Sequence, residues 1–191
     1  MNVLEKIECQ PYGLTIEIDK IQNGWMYIIL KTNFSIKKYA ASYLCNPIID
    51  LIEKYLLLYE NKTCENNPLR ANKKYAVIEH DLEGNNIVWL LHKKEDDLYI
   101  YIWEDFLEID NWLWAEFNDQ SFINNFENVP QLTENLLFSM KGKMIDFAKT
   151  LLPTLDWLKK KRIELDLVDE WGYDFSESDY EKIKTIEKAF R

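Results

Sequence analysis

The stretch LTIEIDKIQNGWMYIILKTNFSI (residues 14–36) decides how the N-terminal part of the chain folds. Residues 14–21 and 25–36 are rich in β-branched and aromatic side chains, which favour strands. Between them stand Asn23 and Gly24, a pair that tolerates the positive φ angles of a two-residue hairpin turn. The sequence therefore predicts an antiparallel β-hairpin that turns at this pair.

A helix is predicted to begin at Asn46 and Pro47. Asn46 can accept hydrogen bonds from the free N–H groups of the first turn, and proline at the first helical position loses no backbone hydrogen bond. Apolar residues then recur at helical spacing: Ile48, Leu51, Ile52, Tyr55 and Tyr59. We expect this face of the helix to be buried.

Residues 75–82, 87–91 and 98–103 are expected to form three strands of a meander, with turns at Gly84-Asn85 and at residues 95–97. Residues 112–117 are expected to form a further strand, and residues 119–126 a short helix. This order of elements continues the antiparallel arrangement that the hairpin begins.

The longest helical pattern covers residues 132–163. Pro153 is expected to kink or divide this helix, because proline removes a backbone donor and clashes with the preceding turn. Ser178 and Glu181 form a capping-box pattern that opens a final helix reaching Phe190. The apolar stripe of the long helix consists of Leu137, Met140, Met144, Phe147, Leu151, Leu155 and Leu158.

Strands followed by helices predict an α+β fold. We expect an antiparallel sheet of about five to six strands, made of the N-terminal hairpin and the meander, with helices packed on one face. A chain of 191 residues is expected to form a single domain, 1–191. Within it, residues 1–165 are the predicted core, and residues 166–191 are an acidic segment and a C-terminal helix packed on or appended to that core.

The two histidines are predicted to be structural. With a turn at Gly84-Asn85, His80 should pair with Trp89 and His92 with Val77, which places the two histidines on opposite faces of the sheet. One of them should be packed and the other solvated. The three cysteines, Cys9, Cys45 and Cys64, form no CxxC pair, so we expect reduced, packed thiols.

The targeting segments and catalytic motifs that the sequence lacks lead us to expect a cytoplasmic protein without a cofactor. The first residues contain no apolar h-region and no small-residue cleavage site, so we expect no signal peptide. No apolar stretch approaches the roughly 20 residues of a membrane span. None of the common nucleotide, metalloprotease or hydrolase motifs is present. We therefore assign no catalytic residue and no metal ligand, and the oligomeric state stays open.

Charge is distributed very unevenly along the chain. The net charge is −10, yet residues 95–140 hold eleven acids and not one Lys or Arg, and the rest of the chain holds 22 acids against 23 bases. A second run, residues 164–181, holds eight acids and no base. Such polarity disfavours nucleic acid and membrane as partners of the acidic face and favours a basic protein.

Aromatic residues are interleaved with the acids of the first run. The predicted partner-binding residues are Glu104, Asp105, Glu108, Asp110, Trp112, Trp114, Glu116 and Asp119. In one interpretation, carboxylates surround exposed aromatics, which act as interface hot spots and attract a basic partner. In the other, the aromatics belong to the core and the acids are their solvated side.

The chain resembles small acidic bacterial proteins that include immunity proteins of polymorphic toxin systems. The resemblance lies in YAASYL (residues 39–44), NPIIDL (46–51), the meander of residues 75–103 and FAKTLL (147–152). It implies a non-enzymatic inhibitor that blocks a cognate toxin, often a basic nuclease. It transfers no functional residue to this chain.

Two alternatives stay open. The protein could be an enzyme whose carboxylates hold a divalent metal, with Glu104, Asp105 and Glu108 as first candidates. It could also be a structural subunit whose apolar stripe at residues 137–158 packs on another chain. The simpler interpretation of that stripe is that it faces the protein's own core.

Overall fold

The computed structural model describes residues 7–42, 44–63, 73–104, 135–165 and 176–189, with the backbone alone at 163–165. These ranges confirm the α+β class. Their elements are β1 (Gln10–Pro11), β2 (Thr15–Gln22), β3 (Trp25–Lys31), β4 (Ile36–Ser42), α1 (Pro47–Tyr59), β5 (Tyr75–Asp81), β6 (Asn86–Lys94), β7 (Asp97–Glu104), β8 (Leu136–Lys143), α2 (Met144–Leu165) and α3 (Glu177–Lys188). The strand predicted at 112–117 and the helix predicted at 119–126 lie outside the described residues.

The predicted hairpin is confirmed. Gln22 pairs with Trp25, and the φ angles of Asn23 and Gly24 are 54° and 77°. Two consecutive positive φ angles match the twist of the flanking strands, which is why this pair serves the turn.

The predicted second strand, 25–36, is too long at its C-terminal end. β3 ends at Lys31, and the chain turns back where the Thr32 N–H donates to the Ser35 carbonyl at 2.9 Å. The Thr32 hydroxyl also accepts from the Phe34 N–H at 3.2 Å. β4 then follows as a strand that our sequence analysis did not predict, because the turn is stabilised by a threonine side chain and contains no glycine or proline.

The strands form two sheets, whereas we expected one. The first has the order β2-β3-β4, and the second has the order β1-β8-β7-β6-β5. All pairs are antiparallel except β1 with β8, where Gln10 lies opposite Met140. The sheets meet where the Tyr39 hydroxyl lies 2.7 Å from His80 Nδ1 and Ser42 Oγ donates to Glu83 Oε1 at 2.8 Å.

Helices pack against one face of each sheet. α1 contacts β5, α2 contacts β2 and β8, and α3 packs on α2. The core combines alternate residues of both sheets with the helix stripes; among its members are Ile16, Ile28, Leu30, Ile78, Trp89, Ile100, Leu51, Tyr55, Phe147, Leu151 and Ile183. The stripe of α2 therefore faces the protein's own interior, as its spacing predicts.

The predicted cap of α1 is confirmed. Asn46 accepts from the Ile49 N–H at 3.4 Å, and Pro47 occupies the first turn. The cap predicted for the last helix is wrong by two residues, because Ser176, not Ser178, accepts from the Asp179 N–H at 3.2 Å. Both serines stand three residues before an acid, so the sequence contains two equivalent capping patterns.

The long predicted helix, 132–163, is wrong over residues 136–143, and its first three residues, 132–134, lie outside the described residues. Residues 136–143 form β8, which pairs with β7 over its whole length. The backbone of β8 at Gly142 lies very close to Tyr12, since a Cβ at this position would be 2.6 Å from Tyr12 Cβ. Strand pairing thus overrides the helical spacing of Leu137 and Met140, a tertiary effect that the local pattern does not contain.

Helix α2 continues through Pro153 to Leu165, so the proline does not divide it. Pro153 is exposed. Among the described helices, none is long and apolar enough to cross a membrane.

The meander is confirmed, but its first turn has a different register. The connection between β5 and β6 contains four residues and closes where the Leu82 N–H donates to the Asn85 carbonyl at 2.9 Å. His80 therefore pairs with Ile87, and His92 with Tyr75. The shift of two residues leaves the histidines on opposite faces, as predicted. Both are buried, so the expectation that one is solvated is wrong.

Candidate functional site

Glu104 is the described member of the predicted partner-binding set. It ends β7, and its carboxylate forms an ion pair with Lys37 of β4, with side chains 34% and 25% exposed. This pair ties the beginning of the acidic connection to the three-stranded sheet. The other seven predicted residues lie outside the described ranges: Asp105, Glu108, Asp110, Trp112, Trp114, Glu116 and Asp119.

Residues 105–134 connect two neighbouring strand ends. The Glu104 N–H donates to the Asn135 carbonyl at 3.0 Å, so the chain leaves β7 and returns to β8 at adjacent positions. The sequence between them holds seven acids and no Lys or Arg, which accounts for −7 of the net charge of −10. The acidity of the protein is thus concentrated in one connection that begins and ends at adjacent strand ends, those of β7 and β8.

The N-terminal end of the acidic run is compensated. Asp97 forms ion pairs with Lys143 and with Lys141, the latter at 2.9 Å, and hydrogen bonds from these two ammonium groups lower the pKa of Asp97. The Nζ atoms of Lys94 and Lys141 lie 5.2 and 5.1 Å from the centre of the Tyr99 ring. The acidic run in the sequence is therefore not an acidic surface at this end of β7.

The aromatics that β7 contributes to the run are mostly internal. Tyr101 and Trp103 are each 1% exposed, and their rings stack with centroids 5.9 Å apart. For these two residues the core interpretation is correct. Any exposed aromatic of the predicted site must come from residues 105–119.

His80 is held as a neutral core residue. Its Nε2–H donates to the Pro47 carbonyl at 3.1 Å, so Nδ1 accepts from the Tyr39 hydroxyl at 2.7 Å. Burial lowers the pKa of His80 to about 3, which removes it from general-base chemistry at neutral pH. Its role in the described structure is to join β5 to β4 and α1.

The two described cysteines are free thiols with weak acidity. Burial raises the pKa of Cys45 to about 12 and also raises the pKa of Cys9. A thiol becomes a nucleophile when its pKa is lowered, and here the shift has the opposite sign. In the described parts of the chain, no group of three or more His, Cys, Asp or Glu residues could hold a metal ion.

A cleft of about 480 Å³ lies between the edge strand β2 and helix α2. Thr150, which lines the cleft, is used internally, because its Oγ1 donates to the Leu14 carbonyl at 2.9 Å. One helical turn further along α2, Thr154 Oγ1 donates to the Ile16 carbonyl at 2.5 Å. Tyr12 in turn lies 2.5 Å from Thr150 Oγ1. These contacts satisfy the open carbonyls of an edge strand, which protects it against pairing with another chain.

A second surface was missed by the sequence analysis. On β3, Met26, Ile28 and Leu30 are buried, whereas Trp25, Tyr27 and Ile29 alternate with them on the outer side and are only half-buried. The adjoining turn and strand add Phe34 and Ile36, which are 72% and 62% exposed. The signal was present in WMYIILK, where both alternating sets are apolar, but the same pattern is typical of a strand that is buried on both faces.

Comparison with known proteins identified no relative of this chain. No protein-family model, no curated protein and no solved structure matches the chain. The function must therefore be argued from the residues themselves.

Proposed function

We propose that the protein is a non-enzymatic binding protein, of the inhibitor or immunity type, that holds a basic protein partner through the connection of residues 105–134. The observation that carries this proposal is the position of the charge. A net charge of −7 is confined to one connection whose two ends are hydrogen-bonded neighbours, while the rest of the chain has a net charge of only −3.

The chemistry of the connection suits a protein partner rich in Lys and Arg. Carboxylates accept two parallel hydrogen bonds from an arginine side chain, and a field of one sign speeds up the encounter with a partner of the other sign. Trp112 and Trp114 supply the residue type that most often dominates binding energy when it is desolvated at an interface.

The described residues favour binding over catalysis. His80 is neutral and buried, and Cys9 and Cys45 have raised pKa values, so none of these three residues offers an activated nucleophile or base. Glu104, one of the three acids considered for a metal site, is already paired with Lys37. Within the described residues, the alternative of a metal-dependent enzyme therefore has no specific support, and Asp105 and Glu108 lie outside them.

The test is a comparison of three immobilised full-length proteins in lysate of the native host. They are the wild type, the charge-reversed variant Glu108→Lys, Asp110→Lys and Glu116→Lys, and a control. The control, Glu8→Lys, Asp19→Lys and Glu181→Lys, changes the net charge equally at exposed positions elsewhere. Bound proteins are quantified by mass spectrometry at low and at moderate salt, after circular dichroism has confirmed that all three proteins are folded.

We expect a basic protein to bind the wild type and the control equally and to bind the charge-reversed variant at least tenfold less. Its recovery should fall as salt increases, because screening weakens attraction between exposed charges. Equal recovery on the wild type and on the charge-reversed variant would contradict the proposal, as would the absence of any basic protein that distinguishes the two.

A further inference from the structure

The outer face of the sheet β2-β3-β4 has a continuous apolar centre. Its middle strand presents Trp25, Tyr27 and Ile29. In an antiparallel sheet, the positions that face solvent are usually polar. On β4, Ala40 lies opposite Tyr27 at the middle of the stripe, and Ile36 lies opposite Lys31 beyond its Ile29 end. The Trp25 end is flanked by the polar residues Gln22 and Ser42. From Trp25 to Ile29 the stripe is about 14 Å long at the usual rise of a strand.

This face is not part of the core that the described residues form. The core includes Met26, Ile28 and Leu30 from the inner side of β3, and it includes neither Trp25, Tyr27 and Ile29 nor Phe34 and Ile36. Large apolar side chains that are left outside a core and grouped on one surface are typical of an interaction site.

The charges around the stripe have the opposite sign to the chain as a whole. Lys20, Lys31 and Lys38 occupy outer positions of the three strands. The acids on this side are Glu17 and Asp19, the exposed bulge residue of β2. Glu17 is paired with Lys31 at 2.6 Å, and Lys20 Nζ lies 4.5 Å from the centre of the Tyr27 ring. The three lysines exceed the two acids by one, so this face has a net charge of +1 on a protein whose net charge is −10.

We propose that the outer face of β2-β3-β4 is a second docking surface, which takes an acidic segment of a partner protein that also carries apolar side chains. Apolar residues of the segment lie on Trp25, Tyr27 and Ile29, and its carboxylates meet Lys20 and Lys38 on either side of the stripe. The charge of the surface argues for this occupant, since a basic segment would be repelled by Lys20 beside Tyr27 and by Lys38 beside Ile29. The inference is independent of the proposed function, because it concerns another surface and a partner of opposite charge.

The experiment is a selection from a displayed library of random 16-residue peptides on the full-length protein. Selected peptides are then measured by calorimetry against two face variants, Lys20→Glu with Lys38→Glu, and Trp25→Thr with Tyr27→Thr. Threonine retains the preference of these positions for a strand, so the second pair removes the aromatic surface while favouring the fold. The matched control is Lys160→Glu with Lys188→Glu, at exposed helical positions.

We expect the selected peptides to be net negative with several apolar residues. Both face variants should bind them at least tenfold more weakly, and the control should bind them as the wild type does. The variant Glu108→Lys, Asp110→Lys and Glu116→Lys should bind these peptides undiminished, which separates this proposal from the proposed function.

Three results would overturn the proposal. The selected peptides could be net positive, or no selected peptide could distinguish the wild type from the face variants. Sedimentation velocity could also show that the wild type associates with itself and that Trp25→Thr with Tyr27→Thr is monomeric, in which case a second copy of the chain is the occupant.

Discussion

The two sheets have inner faces of the same kind and outer faces that differ. On the five-stranded sheet, the outer residues Val88, Leu90, Tyr101 and Trp103 are as fully buried as the inner ones. On the three-stranded sheet, the outer residues of β3 are only half-buried. The strand sequences WMYIILK and DLYIYIWE are equally apolar in both alternating positions. An apolar strand therefore shows that both faces avoid water, but not that both faces are covered within the chain.

This difference has an energetic consequence. Apolar surface removed from water contributes about 25 cal/mol per Å² to stability, so the outer face of the five-stranded sheet already stabilises the folded chain. The outer face of the three-stranded sheet gains only part of that stabilisation. The remainder is available to an association that covers Trp25, Tyr27 and Ile29.

The largest effect should come from exchanging the two outer tryptophans for alanine. Trp103→Ala should lower the free energy of unfolding by about 3–5 kcal/mol, because it removes a fully buried ring and leaves a cavity. Trp25→Ala should lower it by about 1 kcal/mol or less, since Trp25 lies outside the core and part of its side chain is solvated in the folded protein. Urea unfolding followed by far-ultraviolet circular dichroism measures both values.

Similar losses in the free energy of unfolding for the two variants would contradict the difference between the outer faces, because they would mean that Trp25 is covered as fully as Trp103. The slope of unfolding with urea is the internal control. An unchanged slope shows that each variant exposes the same surface on unfolding and that the two free energies can be compared.

Much of the fold could be predicted because it depends on local chemistry. The turn at Asn23 and Gly24 needs only positive φ angles, and the cap at Asn46 needs only a side-chain oxygen in front of a helix. The failures depend on contacts that are distant in sequence. β8 was predicted as helix because its spacing suits both structures, and its pairing with β7 decides between them.

A second prediction concerns the contact that joins the sheets. His80 has a pKa of about 3 in the folded protein and 6.5 as its ordinary value, so the unfolded chain takes up a proton that the folded protein refuses. The stabilising contribution of neutral His80 is therefore complete above pH 6.5 and is lost as the pH falls toward 3. From this residue alone we expect a loss of about 2 kcal/mol between pH 7 and pH 5.

The measurement is urea unfolding of the wild type and His80→Gln at pH 7, 6 and 5. At pH 7 the variant should be about 2 kcal/mol less stable than the wild type, because it loses the hydrogen bonds of His80 to Tyr39 and Pro47. Glutamine does not titrate, so the stability of the variant does not have the His80-dependent loss at lower pH. Its deficit should shrink as the pH falls. Tyr39→Phe is the control, because it removes one partner and keeps the titrating ring. A deficit of His80→Gln that does not change with pH would show that His80 titrates normally in the folded protein.

The sequence could predict the candidate site only as a stretch of unusual amino-acid composition, not as an arrangement of side chains. Seven of its eight residues lie in one stretch between strands, and a count of acids identifies that stretch without any structure. A count of acids cannot show which of them form ion pairs with bases that are distant in sequence. Asp97 pairs with Lys141 and Lys143, and Glu104 pairs with Lys37. For the same reason the lysines around Trp25 escaped notice, because they come from three strands and form no cluster in the sequence.

The smallest expected effect concerns the ion pair that links the three-stranded sheet to the beginning of the acidic connection. In a double-mutant cycle, Lys37→Met with Glu104→Gln should give a coupling energy of roughly 0.5–1 kcal/mol, because the pair is partly shielded from water. The pair of Lys31 and Glu17, with side chains 39% and 47% exposed, is the matched comparison, and Lys31→Met with Glu17→Gln should give roughly 0.2–0.5 kcal/mol.

Salt separates the two ion pairs further. The coupling of Lys31 with Glu17 should nearly vanish at 1 M NaCl, where the screening length is about 3 Å, whereas a shielded pair is screened less. Equal couplings with equal salt dependence would mean that Glu104 is as solvated as Glu17. In that case the junction of the sheets would give the acidic connection no electrostatic anchor. Its two ends would then be held together only by the Glu104–Asn135 backbone hydrogen bond and the neighbouring pairs of β7 with β8.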